Sequence, residues 1–495
     1  MATAVYPQKA ATSTAPARDY TLVVPVTAIA ILVAGCYFAG LAGALRVGYP
    51  AACFAAAAWI YSRSRPKYVT FTCWIWFLTA FVRRLADNKG GYQEPSIVLI
   101  APYLVTAVSG IDLFTRAREL MRPRNIPFVC ALLAILYGTV VGLMKYSPRQ
   151  MAPVVLNWVV PVCFAFFIVV SYREYKEIRR SLHRTFAAGT LVMGAYCIYQ
   201  FLLLPSWDKL WLSNVNTTTF GAAEPLQLRC FSTMNAPVIF ALTMMGTLLA
   251  SLVAKGKVRL LIVICGFLGL MFSFNRSGWI GFVTGLVFIL IKVGARERLR
   301  ILGATLLAFL FAWLLLAFPN VRQPVIDKLQ TMTDPKDDIS FQARIEGYEK
   351  ALSTLSAEPY GEGVASPDID HSMVYGDQIG PHDSMVLELL YSLGWSGTLI
   401  YLCGLAVMIA VIMTHKATYQ PFEDSMKAVL VALFAQCLLN DIVYGEVGWI
   451  LWTAGAVQLA AIAHAEWKQE ALVARPVLTP DLAPAALFIV EEPGS

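Results

Sequence analysis

Charge is scarce in this chain. Asp, Glu, Lys and Arg make up 14% of its 495 residues, against about a quarter in soluble domains. Hydrophobic residues reach 58%, and the mean hydropathy is +0.61. That shortage excludes a soluble globular protein. Cysteine gives no metal or redox signature either: the 10 cysteines contain no C-x-x-C pair, and most sit in apolar runs, where cysteine behaves as a small hydrophobe. His382 has no second histidine four residues on, so no metal site and no cofactor are expected. A cleavage signal is missing as well, and the first apolar run is too long for a removable signal peptide. No internal repeat suggests a transporter built from inverted halves.

What is present is apolar sequence in blocks long enough to cross a bilayer. They fall at 21–43, 48–61, 68–82, 96–113, 127–143, 152–170, 186–204, 235–253, 258–274, 277–292, 300–318, 385–413, 427–442 and 446–464, about fourteen spans in all. The expected fold class is therefore all-α, a polytopic integral membrane protein. The formal charge of +7 calls for no nucleic acid, because the basic residues sit in short connections. Five such stretches, "SRSRPK" (62–67), "TRARELMRPRN" (115–125), "YREYKEIRRSLHR" (172–184), "KGKVR" (255–259) and "KVGARERLR" (292–300), fall on one face in this count. The positive-inside rule makes that face cytoplasmic, together with both termini.

The chain divides accordingly. Residues 1–20 form a cytoplasmic N-terminal segment, 21–318 the first eleven spans, 319–384 a large external loop with short helices, 385–465 the last three spans, and 466–495 a cytoplasmic tail. A connection beyond about 12–15 residues is usually functional or disordered. With its aromatics, its glycines and the helical pattern in "ARIEGYEKALSTL", the loop 319–384 reads as a structured lid.

Polar residues on the external side carry the functional expectation. Arg276 lies in the tight turn of "FSFNRSGWIG" (272–281), on the side where the charge rule disfavours an arginine. It either snorkels to headgroups or holds an anion, since a guanidinium fits phosphate oxygens and a helix starting at Ser277 adds free N–H groups. Arg229 and Asn235 flank the start of the eighth span, and Asn235 alternatively caps the helix ahead of Pro237. Arg344 is a loop-helix arginine that either faces water or pairs with Glu346. His382 is a base or orienting donor near neutral pH. Asp383 caps the following helix or orients the histidine, and Glu388 is a second carboxylate one turn on.

As a set, these segments resemble the O-antigen ligase and polysaccharide polymerase superfamily of membrane glycosyltransferases. "RCFSTMNAPVIFA" (229–241) resembles its aromatic, Asn, Pro segment, and "FSFNRSGWIG" its arginine motif. "SFQARIEGYEKAL" (340–352) with the following "EPYGEGVAS" resembles its arginine helix and glycine-rich segment, and "PHDSMVLELLYSLGWSGTLIYL" (381–402) its histidine motif. The chain departs from the pattern at Asp383, where Asn is usual, and at Asn275, where Ser is common.

The resemblance implies a GT-C-like fold in a bacterial inner membrane, with the active site facing the periplasm. It implies that Arg276 and Arg344 bind the diphosphate of an undecaprenyl-diphosphate-linked oligosaccharide and that His382 activates the acceptor glycan's hydroxyl. Arg229, Asn235, Asn275, Asp383 and Glu388 are the expected substrate-binding residues. Membrane lipid, a flippase and a chain-length regulator are the implied partners. Chain length and span number favour a polysaccharide polymerase over an O-antigen ligase acting on lipid A–core. The rival class is a membrane solute or anion transporter, which would place charged residues deep within spans near the midplane. None is expected there.

Overall fold

The computed structural model describes residues 20–215, 218–254, 258–315, 317–319, 322, 323, 326, 348, 349, 353, 359–364, 384–415 and 420–473. The described chain is helical, with one isolated bridge between Gly221 and Leu228. Helices α1 (Val23–Phe38), α2 (Ala42–Arg63) and α3 (Arg65–Gly90) lead into a broken segment. In it α4 (Ala101–Ala107) and α5 (Ile111–Thr115) are joined through 3-10 turns, followed by the single turn α6 (Ala117–Leu120). Next come α7 (Ile126–Lys145), α8 (Pro148–Val170), α9 (Tyr175–Leu203), the short α10 (Ser206–Asn214), α11 (Pro237–Ser251), α12 (Val258–Phe272), α13 (Arg276–Lys292) and α14 (Ala295–Leu315). Then follow α15 (Met385–Thr414), α16 (Pro421–Phe434) and α17 (Gly445–Val473).

Among the described residues, eight helical segments are long and apolar enough to cross a membrane. The second and third spans, expected short at 48–61 and 68–82, are long helices of 22 and 26 residues. They turn tightly because Ser64 adopts extended backbone and Pro66 opens α3, where its missing N–H costs nothing. The span expected at 427–442 instead begins at Pro421 and ends at Phe434, its N-terminus closed by Gln420 N–H donating to Glu423 Oε2 (3.0 Å).

The packing follows the distribution of small and apolar faces. α17 is apolar on every side and almost wholly enclosed, with Trp449 and Trp452 fully buried, so it forms the axis of the bundle. α8 runs along it, α7 along α15, α9 along α12, and α13 along α16. α14 packs on α12 through Ile301 and Ala308 and is otherwise largely uncovered, its Leu306, Phe309 and Trp313 exposed, as suits a helix facing lipid. At the end of the bundle carrying the basic connections, ion pairs join helices: Arg65 to Asp112 (3.3 Å) and Arg179 to Glu423 (3.0 Å).

The third span was expected to end at Val82, and α3 carries charge beyond that point. Arg83, Arg84 and Asp87 lie within α3 and are buried. They escape a hydropathy reading because the helix continues past Val82 rather than ending there, and each charge is compensated by a partner.

α15 bends at Gly394, whose φ of 60° and ψ of −168° are open essentially to glycine alone. Residues 359–364, at the C-terminal side of the large loop, fill the bend. Val364 N–H donates to Gly138 O (3.2 Å), and Lys145 Nζ meets Glu362 Oε2 (3.0 Å), tying the same segment to α7.

Candidate functional site

The site is assembled where α3, α9 and α12 end and α11 and α13 begin. The turn from α12 to α13 needs only three residues because Phe274 takes a left-handed φ of 48°. Asn275 then caps α13: its Oδ1 accepts from Gly278 N–H (2.7 Å) and from the Ser277 hydroxyl (2.6 Å). The helix thus starts at Arg276, one residue earlier than the sequence suggests. The cap holds the first turn rigid, with Arg276 exposed at its head. Trp279 Nε1–H donates to Leu270 O (2.9 Å), pinning the new helix back onto α12.

The segment ahead of α11 comes up beside this turn. Cys230 N–H donates to Phe272 O (2.9 Å), so Arg229 is held next to the α12–α13 junction. Arg229 is half-buried. Burial and repulsion from the Arg276 guanidinium together pull its pKa below the usual arginine range. Two like charges have thus been brought near one another. Asn235 follows on the same segment. It does not cap α11: the cap position is Ala236, with no side-chain bond. Instead its Oδ1 is buried without a protein partner, as is Arg229 Nε, among the described residues.

Beneath the segment lies a buried polar network. Arg84 and Asp208, both fully buried, form an ion pair of 2.6 Å between Nε and Oδ1, off the axis of a linear hydrogen bond. Arg84 Nη1 donates to Met234 O (2.6 Å), its Nη2 donates to Ser232 O, and its guanidinium lies 4.9 Å from the Phe231 ring centroid. Gln200 Oε1 accepts from the N–H groups of Phe231 (3.2 Å) and Ser232 (2.8 Å), while its Nε2 donates to Asp208 Oδ2 (2.7 Å). The Tyr196 hydroxyl completes Asp208 at 2.8 Å.

Glu388 lies in the first turn of α15, fully buried, accepting from the Ser392 hydroxyl at 2.6 Å. Tyr444, in the connection before α17, is near enough to feel both Asp441 and Glu388, and burial first, then these carboxylates, push its phenol well above the ordinary range. The structure therefore holds Arg229 beside Asn275 and Arg276, with Asn235 further along the same segment, and puts Glu388 at the start of α15. Arg344, His382 and Asp383 lie outside the described residues.

Arg84, Gln200 and Asp208 are absent from the sequence reading. One signal was available for Arg84: "VRRLAD" (82–87) puts two arginines directly against an apolar span, a position charge occupies only with a partner. Nothing in the sequence names Asp208 as that partner, because it lies on a separate short helix.

The fold and these residues define an all-α polytopic membrane protein with a polar, arginine-bearing end. A family model described as Wzy_C, O-antigen ligase, matches residues 261–402. The chain thus carries an O-antigen-ligase-type domain over less than a third of its length, from α12 through the first half of α15. The match includes Arg276, Arg344, His382 and Glu388; Arg229 and Asn235 lie before it. No curated protein matches the chain. A domain of this kind supports a glycosyltransferase-like activity in general.

Proposed function

We propose that the protein is a polymerase of a bacterial surface polysaccharide or exopolysaccharide. It transfers a glycan from an undecaprenyl diphosphate carrier to a sugar hydroxyl of another lipid-linked repeat unit. The observation that carries this reading is the convergence of Arg229 with Arg276 at the capped start of α13, inside or beside the O-antigen-ligase-type domain. A diphosphate gains negative charge as its bond to the anomeric carbon breaks, and guanidiniums fixed at that point stabilise the leaving group most when the charge is greatest.

In this mechanism the acceptor hydroxyl oxygen attacks the anomeric carbon from the face opposite the diphosphate, giving inversion. The carbon–oxygen bond to the carrier breaks, and its electron pair stays on the diphosphate. His382 takes the hydroxyl proton, and Arg344 joins Arg229 and Arg276 on the diphosphate. The positive charge comes from side chains, so the scheme calls for no metal. The arginine end of the bundle faces the periplasm, with the basic connections in the cytoplasm. Residues 319–384 cover the glycan and exclude water.

The description of the matching family favours one second reading, an O-antigen ligase that moves a finished glycan to lipid A–core. Glycan analysis of a gene-deletion strain separates the two, with complementation by wild type, Arg276→Ala and His382→Ala. Single repeats left on carrier or core mark a polymerase. Full-length chains stranded on undecaprenyl diphosphate mark a ligase. Normal glycans in the deletion, or full complementation by both variants at matched expression, overturn the reaction and bring the transporter forward.

A further inference from the structure

We propose that Arg84, Gln200 and Asp208 are positioning residues: a buried clamp that fixes the 229–235 segment so that Arg229 and Asn235, at its two ends, meet the diphosphate and the first sugar of the donor. The inference rests on the donor reading of the proposed function and adds residues that lie outside the matched domain.

Backbone groups from Arg229 to Met234 are tied to neighbouring elements. Arg229 N–H donates to Phe220 O (2.7 Å), Cys230 N–H to Phe272 O (2.9 Å), and Phe231 and Ser232 N–H to Gln200. The carbonyls of Ser232 and Met234 accept from Arg84. Ser232 sits at a left-handed φ of 49°, a conformation that a residue with a side chain keeps only when its surroundings dictate it. Its hydroxyl, donating to Met193 O at 2.7 Å, adds a further tether.

Against that backbone framework, two side-chain groups at the ends of the segment stand out, together with Thr233 Oγ1 in its middle. Arg229 Nε and Asn235 Oδ1 are buried with no protein partner among the described residues. A buried donor or acceptor left unmade is costly, so a fold keeps one where a ligand completes it. The two groups ask for different chemistry. Arg229 Nε–H needs an oxygen, as a diphosphate offers; Asn235 Oδ1 needs a donor, as a sugar hydroxyl offers. A lipid-linked sugar diphosphate supplies both in sequence along one molecule.

The clamp needs an arginine at position 84. Its three nitrogens reach three acceptors lying in different directions, the Asp208 carboxylate and the two carbonyls. A planar guanidinium does this, and a lysine ammonium at the end of a flexible stem does not.

The test uses the full-length protein in detergent with undecaprenyl diphosphate as the probe. The variants are Arg84→Lys, the paired change Arg84→Met with Asp208→Leu, which leaves no lone buried charge, and Gln200→Met, which keeps the ion pair. Arg276→Ala serves as the control for the donor site itself. Folding is followed by monodispersity and thermal midpoint. The state of the segment is followed by alkylation of Cys230, which is fully buried in it, with N-ethylmaleimide. The clamp predicts folded variants that bind the probe about tenfold or more weakly, the effect of one lost charge-assisted hydrogen bond, with faster alkylation of Cys230. Unchanged affinity in folded clamp variants, with Arg276→Ala impaired, overturns the clamp and leaves the donor site standing. Failure of wild type to bind, or full binding by Arg276→Ala, overturns the donor reading and the clamp's role with it. If none of the three clamp variants folds, the network is a folding element and the proposal is overturned.

Discussion

Tyr391 and Trp395 stand one helical turn apart on α15, yet their backbone groups are bonded to another segment. Trp395 N–H donates to Pro359 O (3.1 Å), and Tyr391 O accepts from Glu362 N–H (2.8 Å). The stretch 359–362 has entered the helical ladder at the Gly394 bend and supplied both partners the bend would otherwise leave unpaired. This anchors residues 359–364 against α15 and α7.

Replacing Gly394 by alanine tests the anchor. The backbone there disfavours any side chain by about 1–3 kcal/mol, and a Cβ would meet the Tyr360 carbonyl carbon at 2.4 Å. The inserted stretch has to move. Gly394→Ala is expected to lower the thermal midpoint of the purified protein and to fail in glycan complementation at matched expression. A variant with unchanged midpoint and full complementation refutes the anchor.

Lys145 and Glu362 bridge the same segment to α7, with side chains 25% and 19% exposed. A pair so placed at a membrane-protein surface is worth at most about 1 kcal/mol. Lys145→Met should therefore leave the thermal midpoint almost unchanged and complement normally. A large loss would show that the ion pair, and not the backbone insertion, secures the loop.

Asn275 joins stability to the site. Removing a side-chain cap costs about 0.5–2 kcal/mol, and here the cap also orients the turn that carries Arg276. Asn275→Ala is expected to destabilise slightly and to reduce glycan assembly, while Asn275→Asp or Asn275→Ser, which keep an acceptor oxygen, restore most of both. Equal behaviour of all three would deny the cap a role in holding Arg276.

The helical class and the alternation of basic connections were legible because both depend on composition averaged over twenty residues. The tightness of the α12–α13 turn was legible for a local reason, Arg276 between two apolar runs with Ser277 and Gly278 directly after it; the Asn275 cap was not read from the sequence. The Arg84–Asp208 pair joins residues 124 positions apart in sequence, and no local pattern encodes such a contact. For Asn235 the sequence left two readings, a cap or a substrate contact; an Asn two residues ahead of Pro237 has the spacing of a cap, but the backbone gives that position to Ala236.

Glu388 separates a structural carboxylate from a working one. It is fully buried and accepts from Ser392 at 2.6 Å. Glu388→Gln keeps the shape and an acceptor for Ser392 while removing the carboxyl group's ability to give or take a proton. If the carboxylate serves the acceptor end, folded Glu388→Gln binds undecaprenyl diphosphate as wild type does and still loses glycan assembly by about tenfold or more. Loss of diphosphate binding would place it with the donor, and normal assembly would leave it only a structural role.

Arg229 and Arg276 give the strongest test of a shared ligand. If both hold one diphosphate, each single alanine variant should lower the donor-dependent rate by about 10- to 100-fold, the range for a hydrogen bond to a charged group. The double variant should lose less than the two effects combined, because the second removal acts on a diphosphate already poorly held, and each single removal also relieves the repulsion between the two guanidiniums. A rate series on membranes carrying wild type, the two single variants and the double variant measures that coupling. Additivity within about 0.5 kcal/mol would mean that the two arginines serve separate ligands, and the convergence on which the proposed donor site rests would lose its meaning.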